Sequence, residues 1–514
     1  MTKKNLNVYQ LIVFLVMPFL LSWPSWFNGQ PFFFPDTTAY IKGAASAVDL
    51  VVKTDQARNW LTPKVAHQAP PAQNGGTFDV TVEQYSSSPE KGGVISGRSI
   101  YYGMFVFLTA ILLGLNWVPV LQALISTVMI SSLLRAQFSI SYKVIAAALL
   151  FLALATPLPY FNSMLMPDVF AGLGLAGIIG LLLMPQAPFW SRVLWATLTA
   201  AATLFHTGNI LVILSVIIAL VLICVLLGQK RMLVRSNVLL ALALVSVGIA
   251  GELAFGYAIH RVTDTPPIRP PFMTARLLAD GPGTDFIRDH CSQAQFEICN
   301  YPKDYTKVTS DDILWSMDPG MGVFTLAPKA VRLKLGQQDL AFAKAVFFHY
   351  PWPVIQNSVR NIGLQLGLIG LEEFTYSSQA KEHFAQKIPE AELDVMQGTK
   401  AARGEFNVAY SEAIIITITI GSLLVCLAAV IQCYRRQKYY AAILISVFLL
   451  GILINASVTG VLSTPHDRYQ ARIVWMLELM GFMLCLYKFG MVQGVLDRHV
   501  NETIEKRKAH DRLP

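Results

Sequence analysis

Charge is what this sequence has least of. Only 14% of its 514 residues are Asp, Glu, Lys or Arg, against roughly 25% in a soluble domain, while 54% are hydrophobic. That deficit excludes a chain whose whole surface faces water. There is no glycine-rich phosphate loop, no GxSxG elbow and no HExxH pair, so the nucleotide, serine-hydrolase and zincin chemistries those motifs carry have no local signature here. Cysteine is scarce too. Of six, Cys224, Cys426, Cys433 and Cys485 lie in or beside apolar runs, where a small soft side chain is ordinary packing. Cys291 and Cys299 share a polar segment, eight positions apart, and whether they close a local disulfide is left open by spacing alone. No metal-ligand cluster and no internal repeat is visible.

What is present is apolar sequence in runs of about 20 residues, the length a helix needs to cross roughly 30 Å of hydrocarbon. Membrane β-barrels instead show alternating segments of about ten residues. The expected fold class is an all-α polytopic membrane protein. The first run, 8–25, follows a basic start, a pattern that a signal peptide shares. No small-residue cleavage site follows it directly, although GAASA at 43–47 keeps processing as the alternative, and an uncleaved helix is the favoured reading. Further runs fall near 144–161, 169–184, 190–206, 210–228, 236–258, 411–433, 438–458 and 471–490. Between Ser99 and Leu134 no charged residue occurs, which leaves room for two short helices broken around Gly114, Asn116 and Pro119.

Two stretches differ in kind. Residues 26–98 are polar and rich in Pro, Gly and Ser, and 260–410 carries 15 basic and 17 acidic residues with turn dipeptides such as Pro266-Pro267. Within the latter, 341–371 mixes aromatics with Lys344, His349 and Arg360 and reads as an interfacial amphipathic pair. The chain therefore divides into a membrane module, 1–259, that includes the loop 26–98, an outer domain, 260–410, late helices, 411–490, and a tail, 491–514.

The net charge of +8 does not point to nucleic acid, because the basic residues sit at the ends of apolar runs rather than on one stripe. They report sidedness. Lys3 and Lys4, Arg135 and Lys143, Arg192, Lys230 with Arg231 and Arg235, and Arg435 with Arg436 and Lys438 occupy five short connections that hold no acidic residue. By the positive-inside rule all five are cytoplasmic. Alternation then requires about ten crossings, with one span plus a short embedded piece between Arg98 and Arg135 and both termini inside. The compartment that fits is a bacterial inner membrane, with 26–98, 159–168, 206–209 and 260–410 on the outer face.

Polar residues at the ends of spans can now be sorted by face. Asp36 in FFFPDTTAY, Asp168 in SMLMPDVFAG, His206 in HTGN, and His466, Arg468 and Arg472 in STPHDRYQAR all reach the outer side. Desolvating an ionised group at the bilayer edge costs several kcal/mol unless it is paired or wet, so charges there mark a site. The bland alternative is that two carboxylates and two guanidiniums pair only to hold helices together. Arg98 in SGRSIYYG, where the loop re-enters the membrane, is an aromatic-belt anchor or a sugar or phosphate contact.

An Asp in the first outer loop, a second Asp at a later outer turn and an Arg-bearing motif before a late helix resemble the GT-C superfamily of integral membrane glycosyltransferases. The resemblance covers mainly 1–260, in organisation rather than continuous sequence, with a looser match at 463–472, and the chain lacks the acidic pair that some branches carry after the first helix. It implies a polyprenyl-phosphate-linked sugar as donor, a lipid or glycan as acceptor, Asp36 as general base and basic residues holding the lipid phosphate. An Asp with a reference pKa near 3.9 is ionised at neutral pH and can take a proton from a hydroxyl. Thr37, Thr38 and Tyr40 stand ready to contact a sugar, unless Asp36 merely caps a helix after Pro35. Arg468 and Arg472, four apart, share a helix face and suit a phosphate, unless they snorkel. Asp168, His206 and His466 complete the expected substrate contacts; a divalent metal between Asp36 and Asp168 is left open, because two carboxylates do not specify one.

Two rivals stand beside this reading. An O-antigen polymerase or ligase would rely on Arg and His of 260–410 more than on Asp36. A lipid-linked sugar flippase or proton-coupled carrier would rely on Glu252 and Glu478, the two carboxylates deeper in apolar runs.

Overall fold

The computed structural model describes residues 8–61, 93–138, 140–301, 304–305 and 307–490; Lys3, Lys4, most of the second half of the first loop and the 491–514 tail lie outside them. Among the described residues the fold is helical, with only isolated bridges between Phe32 and Met164 and between Ile95 and Ile268. It is an all-α, multi-pass membrane protein.

Among the described residues six helices are long and apolar enough to cross a bilayer: α4 (Trp117–Gln137), α8 (Thr207–Leu226), α9 (Arg235–Thr263), α13 (Ala409–Arg435), α14 (Tyr439–Leu462) and α15 (Asp467–Lys488). Four apolar helices are shorter: α1 (Val8–Leu20), α3 (Ile100–Leu113), α5 (Tyr142–Ala155) and α6 (Asp168–Leu183). The runs at 8–25 and 144–161 fold shorter than they read, whereas α6 fills the run at 169–184 and α3 ends at the break expected around Gly114. Gly114, at φ +94°, ends α3 at a conformation that L side chains resist, and Thr156-Pro157 ends α5. At 1.5 Å per residue, a helix of about 14 residues reaches roughly 21 Å. The expectation of about ten full-length spans is thus met by six on length, with α7 (Phe189–Phe205) and the four shorter helices packed among them.

The centre of the bundle is α6, every residue of which is buried. Its glycines make that density possible. A Cβ on Gly174 would stand 2.3 Å from the Ala202 Cβ of α7, one on Gly177 2.9 Å from the Trp195 carbonyl, and one on Gly172 2.5 Å from the Trp475 indole of α15. Close backbone approach through small residues is how membrane helices gain van der Waals contact where lipid offers no hydrophobic drive.

The two ends of the bundle are chemically unlike. At one end Arg192 donates to Asn237 (2.7 Å), Asn237 to the Leu181 carbonyl, and Tyr440 to Gln137 (2.9 Å), so the basic connections gather there. At the other, Ser99 donates to the Leu204 carbonyl (2.6 Å) and Thr37 to the Leu165 carbonyl (3.0 Å), so the first loop and the turns at 159–168 and 206–209 meet.

The 260–410 segment has two parts rather than one. Residues 268–350 build their own core around Leu278, Phe286, Phe324 and Phe342, with Cys291 and Cys299 joined in a disulfide, whereas Leu371, Phe374, Phe384, Met396 and Phe406 belong to the core of the membrane module. Between them α10 (Lys329–His349) and α11 (Pro351–Gly367) form a helical pair broken at Tyr350-Pro351, and α11 lies so close to α14 that a Cβ on Gly460 would sit 2.8 Å from the Asn361 carbonyl. Trp352, Val359 and Leu364 are exposed on α11.

Candidate active site

The first loop is fastened before it delivers its aspartate. Phe32 accepts from Leu165 N and donates its own N–H to Ser163 (both 2.9 Å), Phe33 N–H donates to the Tyr376 hydroxyl (2.8 Å), and His383 Nε2 meets the Pro35 carbonyl at 3.1 Å. Asp36 follows and opens α2 (Thr37–Val51). It occupies the N-cap position, yet its side chain caps nothing. Instead Oδ1 accepts from Arg98 Nη2 at 2.6 Å and from Nε at 3.1 Å, while Oδ2 makes no hydrogen bond to the described residues. Capping, the structural alternative for this residue, is therefore not what its carboxylate does.

The guanidinium of Arg98 also lies 5.0 Å from the centre of the Trp315 ring, so it is held between an indole and a carboxylate rather than in a lipid-facing belt. Burial pushes the Asp36 carboxyl up, but Arg98, then Arg468, outweigh it and hold the pKa below the ordinary value. Asp36 is ionised at neutral pH.

Deeper in, Asp168 begins α6 directly after Pro167. Arg472 Nη1 stands 3.1 Å from its Oδ1 and Arg468 Nη1 4.0 Å from its Oδ2. The expected shared face on α15 is present, since the helix starts at Asp467, and both arginines point inward rather than snorkel. Accessibility grades the site: the Asp36 and Arg98 side chains are 23% and 18% exposed, Arg468 9%, and Asp168 and Arg472 2% and 1%. Asp36 is the most exposed of the five and Arg472 the most buried. Arg468 lies over the Phe34 ring at 4.1 Å, and the Nε of both Arg468 and Arg472 is buried with no hydrogen-bond partner. A buried unpaired N–H costs about 1–3 kcal/mol, and Arg192 elsewhere in the fold also has an unpartnered Nε.

His206 caps α8 by accepting from Gly208 N at 3.1 Å through Nδ1. Burial, then Arg472, push its pKa down to about 4, so it is neutral, and it shares the field of Asp168, Arg468 and Asp36. Tyr40 joins the same charges, but its ring is buried edge-on to Tyr102 (5.4 Å) and presents no open face to a sugar. Thr37 and Thr38 differ from expectation as well. Their hydroxyls donate to the Leu165 and Pro35 carbonyls, so they hold the loop rather than await a ligand. His466 turns aside: its Nε2 pairs with Asp311 (2.6 Å) and its backbone with Gln365.

No family model, curated protein or solved structure matches the chain. The site must be read from its own residues.

Sequence reasoning overlooked several of these. Gly370 N–H donates to Asp467 (2.9 Å) and Leu371 N–H to Glu412 (2.7 Å), and this staple sets Glu373 beside Arg468, whose backbone N–H approaches Glu373 Oε1 at 3.4 Å. Glu373 Oε2 is buried and unpartnered, and burial raises its pKa despite Arg468. A carboxylate just past an apolar run was available as its signal, as it was for Asp168. His383 and Lys387 also border Asp36, and nothing in the ordinary helical text SQAKEHFAQK of α12 (Ser378–Lys387) marks them.

A divalent metal does not fit this donor set. Among the described residues no three His, Cys, Asp or Glu side chains gather as ligands, and Asp36 and Asp168 each face a guanidinium instead of one another. No step is derived through a metal.

Proposed function

We propose that the protein is a glycosyltransferase of GT-C type that moves a sugar from a polyprenyl-phosphate carrier to a hydroxyl of a lipid or glycan acceptor. The observation that carries this reading is the pairing of an ionised, half-open Asp36, with Oδ2 free of hydrogen bonds, and a deeper Arg468 whose Nε lacks a partner. Arg98 holds Oδ1 and leaves Oδ2 as the oxygen that takes the proton. The acceptor hydroxyl attacks the anomeric carbon, its proton passes to Asp36 Oδ2, and the bond from that carbon to the phosphate oxygen breaks. The electron pair leaves with the carrier phosphate, where Arg468 and Arg472 stabilise the growing negative charge. A single displacement inverts the anomeric centre.

Topology supports the donor class. The basic connections at the far end are cytoplasmic by the positive-inside rule, which puts the site on the outer face of a bacterial inner membrane, beyond the reach of nucleotide sugars. Taking α1, α4 to α9 and α13 to α15 as ten crossings, with α3 as the embedded piece, makes their directions alternate and leaves both termini inside.

The test is transfer from labelled polyprenyl-phosphate hexoses and pentoses by purified protein. Asp36→Asn keeps size and removes basicity, so a loss of about 10²- to 10⁴-fold is expected. Full activity in that variant defeats the assignment. The carrier alternative is disfavoured by the placement of its carboxylates: Glu478 accepts from Thr419 (2.7 Å) on α13, whereas Glu252 on α9 stands beside Tyr101. The polymerase or ligase alternative keeps one observation, the approach of His383 and Lys387 to Asp36, and it predicts that losing them costs more than losing Asp36.

A further inference from the structure

The outer core of residues 268–350 is built apart from the membrane module, yet one short helix, Ser310–Trp315, carries it to the site. That helix is fixed from within its own domain. Thr309 and Asp312 close a capping box at its start, the Ile313 carbonyl accepts from Val323 N–H (2.9 Å), and the Leu314 carbonyl accepts from the Thr325 hydroxyl (2.7 Å). Ile313 and Leu314 are buried in the outer core, and the Trp315 ring meets Phe272 (6.3 Å) and Phe324 (5.9 Å) edge to face. The helix is also registered on the membrane module. Asp311 pairs with His466 Nε2 (2.6 Å) and Ser310 shares a hydrogen bond with Thr464, both just ahead of α15. Ile268 N–H donates to the Val94 carbonyl (2.8 Å), and the Ile268 carbonyl accepts from Ser96 N–H (2.9 Å), which stands shortly before Arg98.

Trp315 is thus a fixed wall, and what lies against it is the partner of Asp36. Its ring centre stands 5.0 Å from the Arg98 guanidinium, whose Nη2 and Nε donate to Asp36 Oδ1 at 2.6 and 3.1 Å. A guanidinium over an indole face is held about 2- to 30-fold more firmly than one without it, the more so when partly out of water. Both Arg98 and Trp315 are half-buried. The indole therefore limits the positions that Arg98 can take, and Arg98 limits those of the Asp36 carboxylate. A tryptophan that only filled the outer core would need no cation on its face.

We infer that Trp315 is a positioning residue of the site: through this ring the outer domain holds Arg98 where Arg98 can hold Asp36 Oδ1. Its effect on catalysis rests on the transferase reading above, whereas the placement of Arg98 does not. In that reading Trp315 touches no reacting atom. Its loss should slow the step that uses Asp36 and leave donor binding, which falls to Arg468 and Arg472, as it was.

The experiment uses the full chain in nanodiscs and takes two measurements on each variant. One is the rate at which phenylglyoxal modifies Arg98, read from its peptide by mass spectrometry; the other is kcat and KM for transfer from labelled polyprenyl-phosphate sugars. Trp315→Leu keeps an apolar side chain and removes the π face. It should speed modification of Arg98 about fivefold and lower kcat about tenfold, with KM for the donor unchanged. Trp315→Phe, with a weaker π face, should fall between leucine and the wild type in both. In an Arg98→Gln background Trp315→Leu should lower kcat no further, the sign that the two side chains act as one unit. An unchanged Arg98 rate in the leucine variant, an unchanged kcat, or a kcat loss that adds in full to that of Arg98→Gln overturns the inference. If leucine prevents folding, seen as a collapsed Tm, the step to phenylalanine carries the test alone, and an Arg98 rate equal to wild type there overturns it. If no form of the protein transfers sugar while the Arg98 rate still follows the order Trp, Phe, Leu, the placement of Arg98 stands and the transferase reading falls.

Discussion

Arg472 and Asp168 form an ion pair with almost no contact with water, and such pairs are held together less by their own attraction than by the cost of separating them. Arg472→Met should therefore destabilise the protein by about 3–5 kcal/mol, by leaving a buried carboxylate uncompensated, whereas changing both partners to apolar residues should recover much of that loss. Thermal or chemical unfolding in a fixed detergent measures both. His383 gives a second prediction with a definite sign. Burial, then Lys387, depress its pKa from an ordinary 6.5 to about 4, so the docked form refuses a proton that the undocked form accepts. Docking is fully present above 6.5 and is lost progressively as pH falls towards 4. Hydrogen exchange in α12 should rise across that window in the wild type and show no such rise in His383→Gln. At this scale the sequence exposed the charges at helix ends, because a charge beside an apolar run is conspicuous in text. It did not expose His383, which sits in a helix of unexceptional composition and gains meaning only from the Pro35 carbonyl more than 300 positions away.

Helix α2 is positioned by its neighbour as much as by its loop. A Cβ on Gly103 of α3 would lie 2.2 Å from the Tyr40 carbonyl, so the two helices touch backbone to backbone one turn from Asp36. Gly103→Ala should displace α2 and lower transfer with little change in fold. Gly256→Ala on α9, where nothing lies within 4 Å, should alter stability by no more than about 0.5 kcal/mol. Activity and Tm of the two variants make the comparison. The existence and order of the apolar helices were legible from run length, and so was the break near Gly114. The true lengths of α1 and α5 were not, because hydropathy continues past the residues where the backbone stops being helical. The division of 260–410 into two cores was hidden for a related reason, since its apolar residues are evenly spread and only contact shows which core each one serves.

Over the whole molecule, chemistry is partitioned between the two ends of the bundle, and sidedness is the property most open to test. Reporter fusions at residues 143, 208 and 300 should read cytoplasmic, external and external; cytoplasmic readings at 208 and 300 would place the aspartates on the nucleotide-sugar side and remove the argument for a lipid-linked donor. That partition was legible in sequence for the nine basic residues of the four acid-free connections that the structure describes, because they make a long-range electrostatic pattern that needs no contact map.

Helix α15 is the least apolar of the six long helices and bears Arg468, Arg472 and Glu478. It is also made last. During synthesis Asp168 must wait roughly 300 residues for its counterion, and α15 enters a lipid phase that rejects its arginines until it finds that carboxylate. Biogenesis and completion of the charge cluster are thereby tied together: a nascent or truncated chain that stops before residue 467 holds Asp36 and Asp168 without Arg468 and Arg472, and so carries an uncompensated acid at its centre for membrane quality control to detect.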